Sequence, residues 1–273
     1  MIPFDYSRFH RTKAGGIYLS YQQIEMLSEM LLQDYKPELL IEPMAIEYDD
    51  FLEGYLEVKL DYQHIYSTTD EGDILGCALF SGQKLAVFDK ENNCKSYREY
   101  EPNTVVLDLS LIEGNHVVQE NITGLHEGGH IWLHGPAMQV DQHQITLSEV
   151  DYGKICCRRS GINIVERPNA SLEESWREWQ ATTFAVTMAL PRKSLEISVL
   201  ELFKHYGITG RQMVIDADPG AWDLSYHTIP EDLRNIYNMS KEAIRYRLEK
   251  TGFYITKEKY DEEHAQMTLF DFL

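Results

Sequence analysis

His126, Glu127 and His130 stand in the pattern His-Glu-Gly-Gly-His. On a helix, residues four apart share one face. Two imidazoles so placed can bind one zinc ion, while the glutamate beside the first holds a water. The chemistry this suggests is metal-assisted hydrolysis. Zinc polarises the carbonyl under attack and lowers the pKa of water toward about 7. Glu127 takes the water's proton and delivers it to the leaving amine.

Such a site needs a third protein ligand. His134 continues the same helix face, but it lies eight residues from His126. That is about 12 Å along an unbroken helix, beyond the span of zinc–nitrogen bonds of about 2.0–2.1 Å. Nor does the spacing follow the metzincin pattern, in which the third histidine comes six residues after the second. The ligand must come from elsewhere. A second helix read over 173–190 carries Glu173, Glu174 and Glu178, with Glu166 upstream.

The two glycines inside the first helix raise a separate question. Each costs roughly 0.5–1 kcal/mol relative to alanine in a helix interior. Gly128 and Gly129, facing the small residues Ala181 and Ala185, would let the two helices approach closely around a metal. Trp176, Trp179, Phe184 and Leu190 are the apolar anchors expected to bury the second helix.

Around these helices the sequence reads as α+β, a small antiparallel sheet followed by helices. Ser20 caps a helix over 21–35, and a short helix is expected over 44–52. The 55–60 stretch alternates as a half-buried strand. Segments 74–80 and 84–89 flank Ser81-Gly82-Gln83 and read as a hairpin. Segment 105–109 is a further strand, and 116–134 the histidine-bearing helix. Residues 135–171 read as irregular. Helices are expected over 173–190, 194–205, 231–237 and 241–250, with a loop over 206–228. The expected organisation is a metallopeptidase domain over 1–205, a loop and helix-turn-helix-like segment over 206–255, and a charged linker with an apolar tail over 256–273.

The chain has 273 residues, 43% hydrophobic, and a formal charge of −19. That charge opposes non-specific binding to phosphate backbones. No stretch approaches the roughly 20 apolar residues of a membrane span, and the N-terminus lacks a signal peptide's apolar core. A cytoplasmic location is expected, with the four cysteines (Cys77, Cys94, Cys156, Cys157) as reduced, partly buried thiols.

Three blocks in order, HEGGHIWLH, EWQATTFAVTMALP and IYNMSKEAIRYRLEKTGF, resemble the ImmA/IrrE family of zinc metallo-endopeptidases over roughly 44–254. The resemblance implies a zincin-like fold in which His126, His130 and Glu178 bind zinc and Glu127 is the catalytic base. It also implies a substrate: a helix-turn-helix repressor, encoded beside the peptidase on a mobile element or in a stress circuit, and cut at one site to relieve repression. The sequence departs from the family pattern at Thr182, where Asn or Asp is usual, and at Thr187-Met188-Ala189. A threonine hydroxyl can still accept a ligand histidine's N–H. His134, Tyr152 and His116 are candidates, by position only, for stabilising the oxyanion.

Two other readings compete with a peptidase. One is a DNA-binding regulator using the terminal helix pair, whose second helix carries Lys241, Arg245, Arg247 and Lys250 beside Glu242 and Glu249. The other is a zinc-bearing interaction module without activity. Separately, Gln266-Met267-Thr268-Leu269-Phe270 resembles the Q-L-x-L-F peptide that docks bacterial proteins on the DNA-polymerase sliding clamp. Gln266, Leu269 and Phe270 would be its anchors.

Overall fold

A computed structural model describes residues 1–10, 17–68, 72–138, 154–158 and 173–270. The fold is α+β, and its described residues divide into two units. The first comprises Met1–Pro37 and Ile46–Ala189, the second Glu38–Ala45 and Leu190–Leu273.

The first unit opens with α1 (Tyr21–Tyr35), started by a capping box in which Ser20 Oγ accepts from the Gln23 amide and Gln23 returns a bond to the Ser20 amide. A helical turn over Asp50–Tyr55 leads into β1 (Lys59–Gln63). Then follow β2 (Ile74–Leu79), β3 (Gln83–Asp89), β4 (Cys94–Tyr100), β5 (Thr104–Asp108), the short α2 (Ser110–Glu113) and the long α3 (Val117–Met138). β6 (Lys154–Arg158) and α4 (Glu173–Ala189) complete the unit.

The sheet corrects two expectations. Its order is β1-β5-β2-β6, and it is mixed rather than antiparallel, because β1 and β5 run parallel. The expected hairpin between the 74–80 and 84–89 segments does not form. Both edges of β2 are taken, by β5 and by β6. β3 pairs instead along its whole length with β4. That hairpin closes where Asn92 bonds the Asp89 carboxylate and Asn93 adopts a left-handed φ of 51°, a conformation asparagine tolerates. β4 reads CKSYREY and is largely exposed, so it has no apolar alternation to reveal it. β6 arises inside the stretch expected to be irregular.

Cys77, Leu79 and Val106 of this sheet pack with Ile65 and with Leu85 of β3 in one core cluster, and Cys156 lies against them. Cys77 and Cys156 are directly opposed on β2 and β6 and joined by a disulfide. This corrects the expectation of four reduced thiols. That expectation rested on compartment, whereas strand register decides which sulfurs meet. Cys94 and Cys157 stand outside the disulfide.

One face of the sheet packs on α3, which is in turn covered by α4. At Gly129 an added Cβ would sit 2.9 Å from Phe184 Cδ1 and 3.4 Å from Ala181 Cα, so glycine is what lets the helices close. Gly128 faces elsewhere: a Cβ there would meet Leu52 of the preceding helical turn at 2.8 Å. The two glycines thus relieve crowding on two sides of α3, rather than only on the α4 side. Trp132 stacks on Phe184 at 5.9 Å, and Ser28 of α1 bonds Thr187 of α4 at 2.7 Å.

The second unit contains α5 (Arg192–His205), β7 (Met213–Val214), α6 (Pro219–Asp223), α7 (Ile229–Tyr237), α8 (Lys241–Thr251), β8 (Tyr254–Ile255) and α9 (Lys257–Phe270). α5 belongs here, not with the residues before it as the expected boundary at 205 has it. Tyr237 of α7 bonds Ser194 and Ser198 of α5 at 2.9 and 3.0 Å, which ties the helices together. Segment 206–228 is not a bare loop, for it holds β7 and α6. α7 ends at Asn238 (φ 52°), Ser240 caps α8, and Gly252 (φ 81°) ends it, as expected.

The basic residues of α8 are engaged within the unit. Arg247 is 0% exposed and donates to the Leu190 carbonyl at 2.9 Å. Lys241 pairs with Glu231 at 2.7 Å, and Arg245 stacks on Tyr226 at 4.3 Å. The stretch expected to be a charged linker forms α9, whose first amide bonds Asp216. The side chains of Gln266, Leu269 and Phe270 lie outside the described residues. Among the described residues no helix is long and apolar enough to cross a membrane.

Candidate metal centre

The middle of α3 brings His126 and His130 onto the face that meets α4, and α4 supplies Glu178. His126 Nε2 and His130 Nε2 are 2.9 Å apart. Glu178 places one oxygen 3.3 Å from His126 Nε2 and the other 3.4 Å from His130 Nε2. Both histidines are fully buried, and the Glu178 side chain is 25% exposed. Two imidazoles and a carboxylate at this spacing can hold one metal ion.

The three donors differ in charge. Burial disfavours the Glu178 carboxylate, but the imidazoles of His130 and His126 outweigh it and hold its pKa below the usual carboxylate range. Burial lowers the His130 pKa, against the pull of Glu178. Burial thus favours the neutral imidazole of His130, and Glu178 is the anionic donor of the three.

The ligand candidates have supports. With Nε2 of each ring on a metal, the imidazole proton would sit on Nδ1. His126 Nδ1 lies 3.2 Å from Thr182 Oγ1, which would accept from it across the α3–α4 interface in that tautomer. His130 Nδ1 lies 3.0 Å from His134 Nδ1. Burial, first, and the neighbouring His130 hold the His134 pKa far below its ordinary value, so its ring is neutral and can accept from His130 Nδ1 in one of its two tautomers. His134 does not join the cluster of His126, His130 and Glu178 donors among the described residues, in keeping with the distance argument. It stands at hydrogen-bond distance from the ring of His130, a contact the sequence did not suggest.

Glu127 is 0% exposed, and neither carboxylate oxygen has a hydrogen-bond partner. Burial, then the charge of Glu178, raises its pKa well above the ordinary value; the amides of Ala78 and Cys157 face it and act the other way. An ionisable group left so is a strong departure from the rule that buried polar atoms are bonded. It fits a group whose partner is a water or substrate at a metal.

No protein-family model matches this sequence, and no curated protein matches it. The site therefore rests on its own geometry.

Gly76 is a site residue that sequence reasoning missed. It lies on β2 beneath Glu127, and a Cβ there would stand 2.8 Å from Glu127 Oε1, 2.9 Å from its Cγ and 3.0 Å from Thr123 Cγ2. The signal was present: an isolated glycine inside an apolar strand marks close approach of another group. Of the oxyanion candidates, His116 is exposed just before α3, ten residues from His126, and Tyr152 lies outside the described residues.

Proposed function

We propose that the chain is a zinc-dependent endopeptidase in which His126, His130 and Glu178 hold the metal and Glu127 is the general base. One observation carries this reading. Three donors of zinc-binding type stand 2.9, 3.3 and 3.4 Å apart beside a fully buried carboxylate without a partner. Donors on one zinc ion with bonds of about 2.0–2.1 Å stand about 3.3–3.4 Å apart at tetrahedral angles. Two imidazoles with one carboxylate form a donor set that leaves a position for water. When bound, zinc supplies Lewis acidity toward a peptide carbonyl and acidifies water.

The chain's own residues supply the rest. Glu127, desolvated and unbonded, is poised to take a proton and pass it to the nitrogen of the broken peptide bond. Thr182 and His134 keep the two imidazoles in the tautomer that presents Nε2. Gly76 leaves room for the Glu127 carboxylate.

The substrate we propose is a helix-turn-helix repressor, which the resemblance to ImmA/IrrE peptidases suggests and which sets the action in the cytoplasm. A chain of charge −19 suits a basic partner. Direct DNA binding through α7 and α8 is disfavoured, because Arg247 is buried and Lys241 is paired.

The test uses the purified chain, zinc analysis, and a repressor encoded next to it. Glu127→Gln should keep about one zinc per chain and lose cleavage by at least about 10²–10⁴-fold. Undiminished cleavage by that variant, or no zinc in the wild type, defeats the proposal.

A further inference from the structure

We propose that the exposed stack of Trp222 and Tyr226 is a docking surface for an arginine-bearing segment of a protein partner. The surface lies wholly in the second unit, and none of its residues enters the metal centre.

α6, a helical turn over Leu224–Thr228 and α7 run on from one another. Ser225, Ile229 and Leu233 of this run are buried. Trp222 and Tyr226, four apart, share another face, with Asp218 one turn before them at the start of α6. Trp222 is 47% exposed and Tyr226 36%. The other three tryptophans, Trp132, Trp176 and Trp179, are buried. The two exposed rings stack at 4.7 Å with 16° between their planes, and His227 meets Trp222 edge-on at 5.3 Å. Tryptophan, tyrosine and arginine are the residues that dominate protein–protein contacts, and all three types meet here.

Two independent observations say what covers the stack. First, Arg245 of α8 lays its guanidinium over the Tyr226 ring at 4.3 Å and donates to the Tyr226 carbonyl at 3.4 Å. The chain's own fold thus shows this aromatic surface receiving a guanidinium, and Trp222 continues that surface into solvent. Second, the segment is acidic. Residues 212–230 include the exposed Asp216, Asp218 and Asp223 and no lysine or arginine. Asp216 accepts the Lys257 amide and Asp218 the Ala221 amide, while Asp223, next to Trp222, does not cap the turn that follows it. Nearby cations are engaged: Arg245 on Tyr226, Arg211 with Glu196 and Lys241 with Glu231.

A guanidinium gains from both features. It is planar and weakly hydrated, so it stacks on a ring while its N–H groups bond a carboxylate. A lysine ammonium is a strongly hydrated point charge and gains less. A nucleic-acid strand would also stack on the rings, but the three carboxylates and the chain's charge of −19 oppose its phosphates.

The test titrates the full chain with a short peptide of alternating arginine and glycine, its lysine counterpart, and oligothymidylate. Calorimetry reads affinity. Acrylamide quenching of tryptophan fluorescence reads location, because Trp222 is the exposed tryptophan. The arginine peptide should bind, shield Trp222 and outbind the lysine peptide. Trp222→Ala should weaken it by roughly five- to thirtyfold, the loss of one cation–π contact, and Trp222→Phe should recover part of that. Asp223→Asn should weaken binding and lessen its salt dependence. Equal binding of the arginine peptide to wild type and Trp222→Ala overturns the proposal, since charge attraction alone would then explain it. Shielding by oligothymidylate in place of the peptide overturns it in favour of nucleic acid. Shielding on raising the protein concentration alone overturns it in favour of a second copy. Should Trp222→Ala melt lower than wild type, the arginine-over-lysine preference and the shielding of Trp222 in the wild type still decide.

Discussion

Substituting Gly76 by alanine tests the link between sheet and chemistry. The new methyl would stand 2.8 and 2.9 Å from Oε1 and Cγ of Glu127, and 3.0 Å from Thr123. Ordinary carbon contacts begin near 3.5 Å, so Glu127 must retreat by roughly half an ångström or more. Its carboxylate tip cannot simply swing aside, because Glu127 is fully buried and its Cγ is also crowded. Overpacking of this kind costs about 1–3 kcal/mol, which lowers the melting temperature by about 2–4 °C per kcal/mol in a domain of this size. A displacement approaching 1 Å at a catalytic group costs about 10²-fold in rate. The metal donors are not crowded by this methyl. Gly76→Ala should therefore keep its zinc, melt several degrees lower and cleave about a hundred times more slowly. The control is Gly82→Ala, where a Cβ meets nothing closer than 3.6 Å; it should behave as wild type. Gly76→Ala with wild-type turnover would refute the placement of Glu127 beneath β2.

Three further outcomes follow from the same geometry. Glu178→Ala removes the only anionic donor of the three and should lose zinc in competition with a chelator, while Glu174→Ala, on an exposed residue of the same helix, should not. His134→Ala removes the acceptor 3.0 Å from His130 Nδ1 and should weaken zinc affinity by about 10–100-fold; unchanged affinity would remove His134 from any supporting role. Deleting residues 266–273 should leave the melting temperature unchanged and abolish capture of the sliding clamp, and a drop of several degrees would show that the segment belongs to the fold instead.

The helices of this protein were legible in the sequence because local rules write them. Ser20 with Gln23, Asn238, Ser240 and Gly252 act within a turn of their own positions, and the structure finds each where the sequence places it. His126 and His130 meet for the same reason, since a helix sets a four-residue spacing by itself. The sheet was less legible because strand pairing is not local. Nothing in segment 74–80 states that its neighbours are 104–108 and 154–158, nor that β4, with its polar sequence, is the partner of β3.

The site was legible in proportion to how much of it is helical. Its metal donors lie on α3 and α4. Its less visible part, Gly76, comes from β2 and appears only once the packing sets that strand against Glu127. Glu127 is thus placed by a helix but given its environment by a sheet. Burial, the charge of Glu178 and a missing Cβ set the surroundings of Glu127, and none of these is written in the motif that names it.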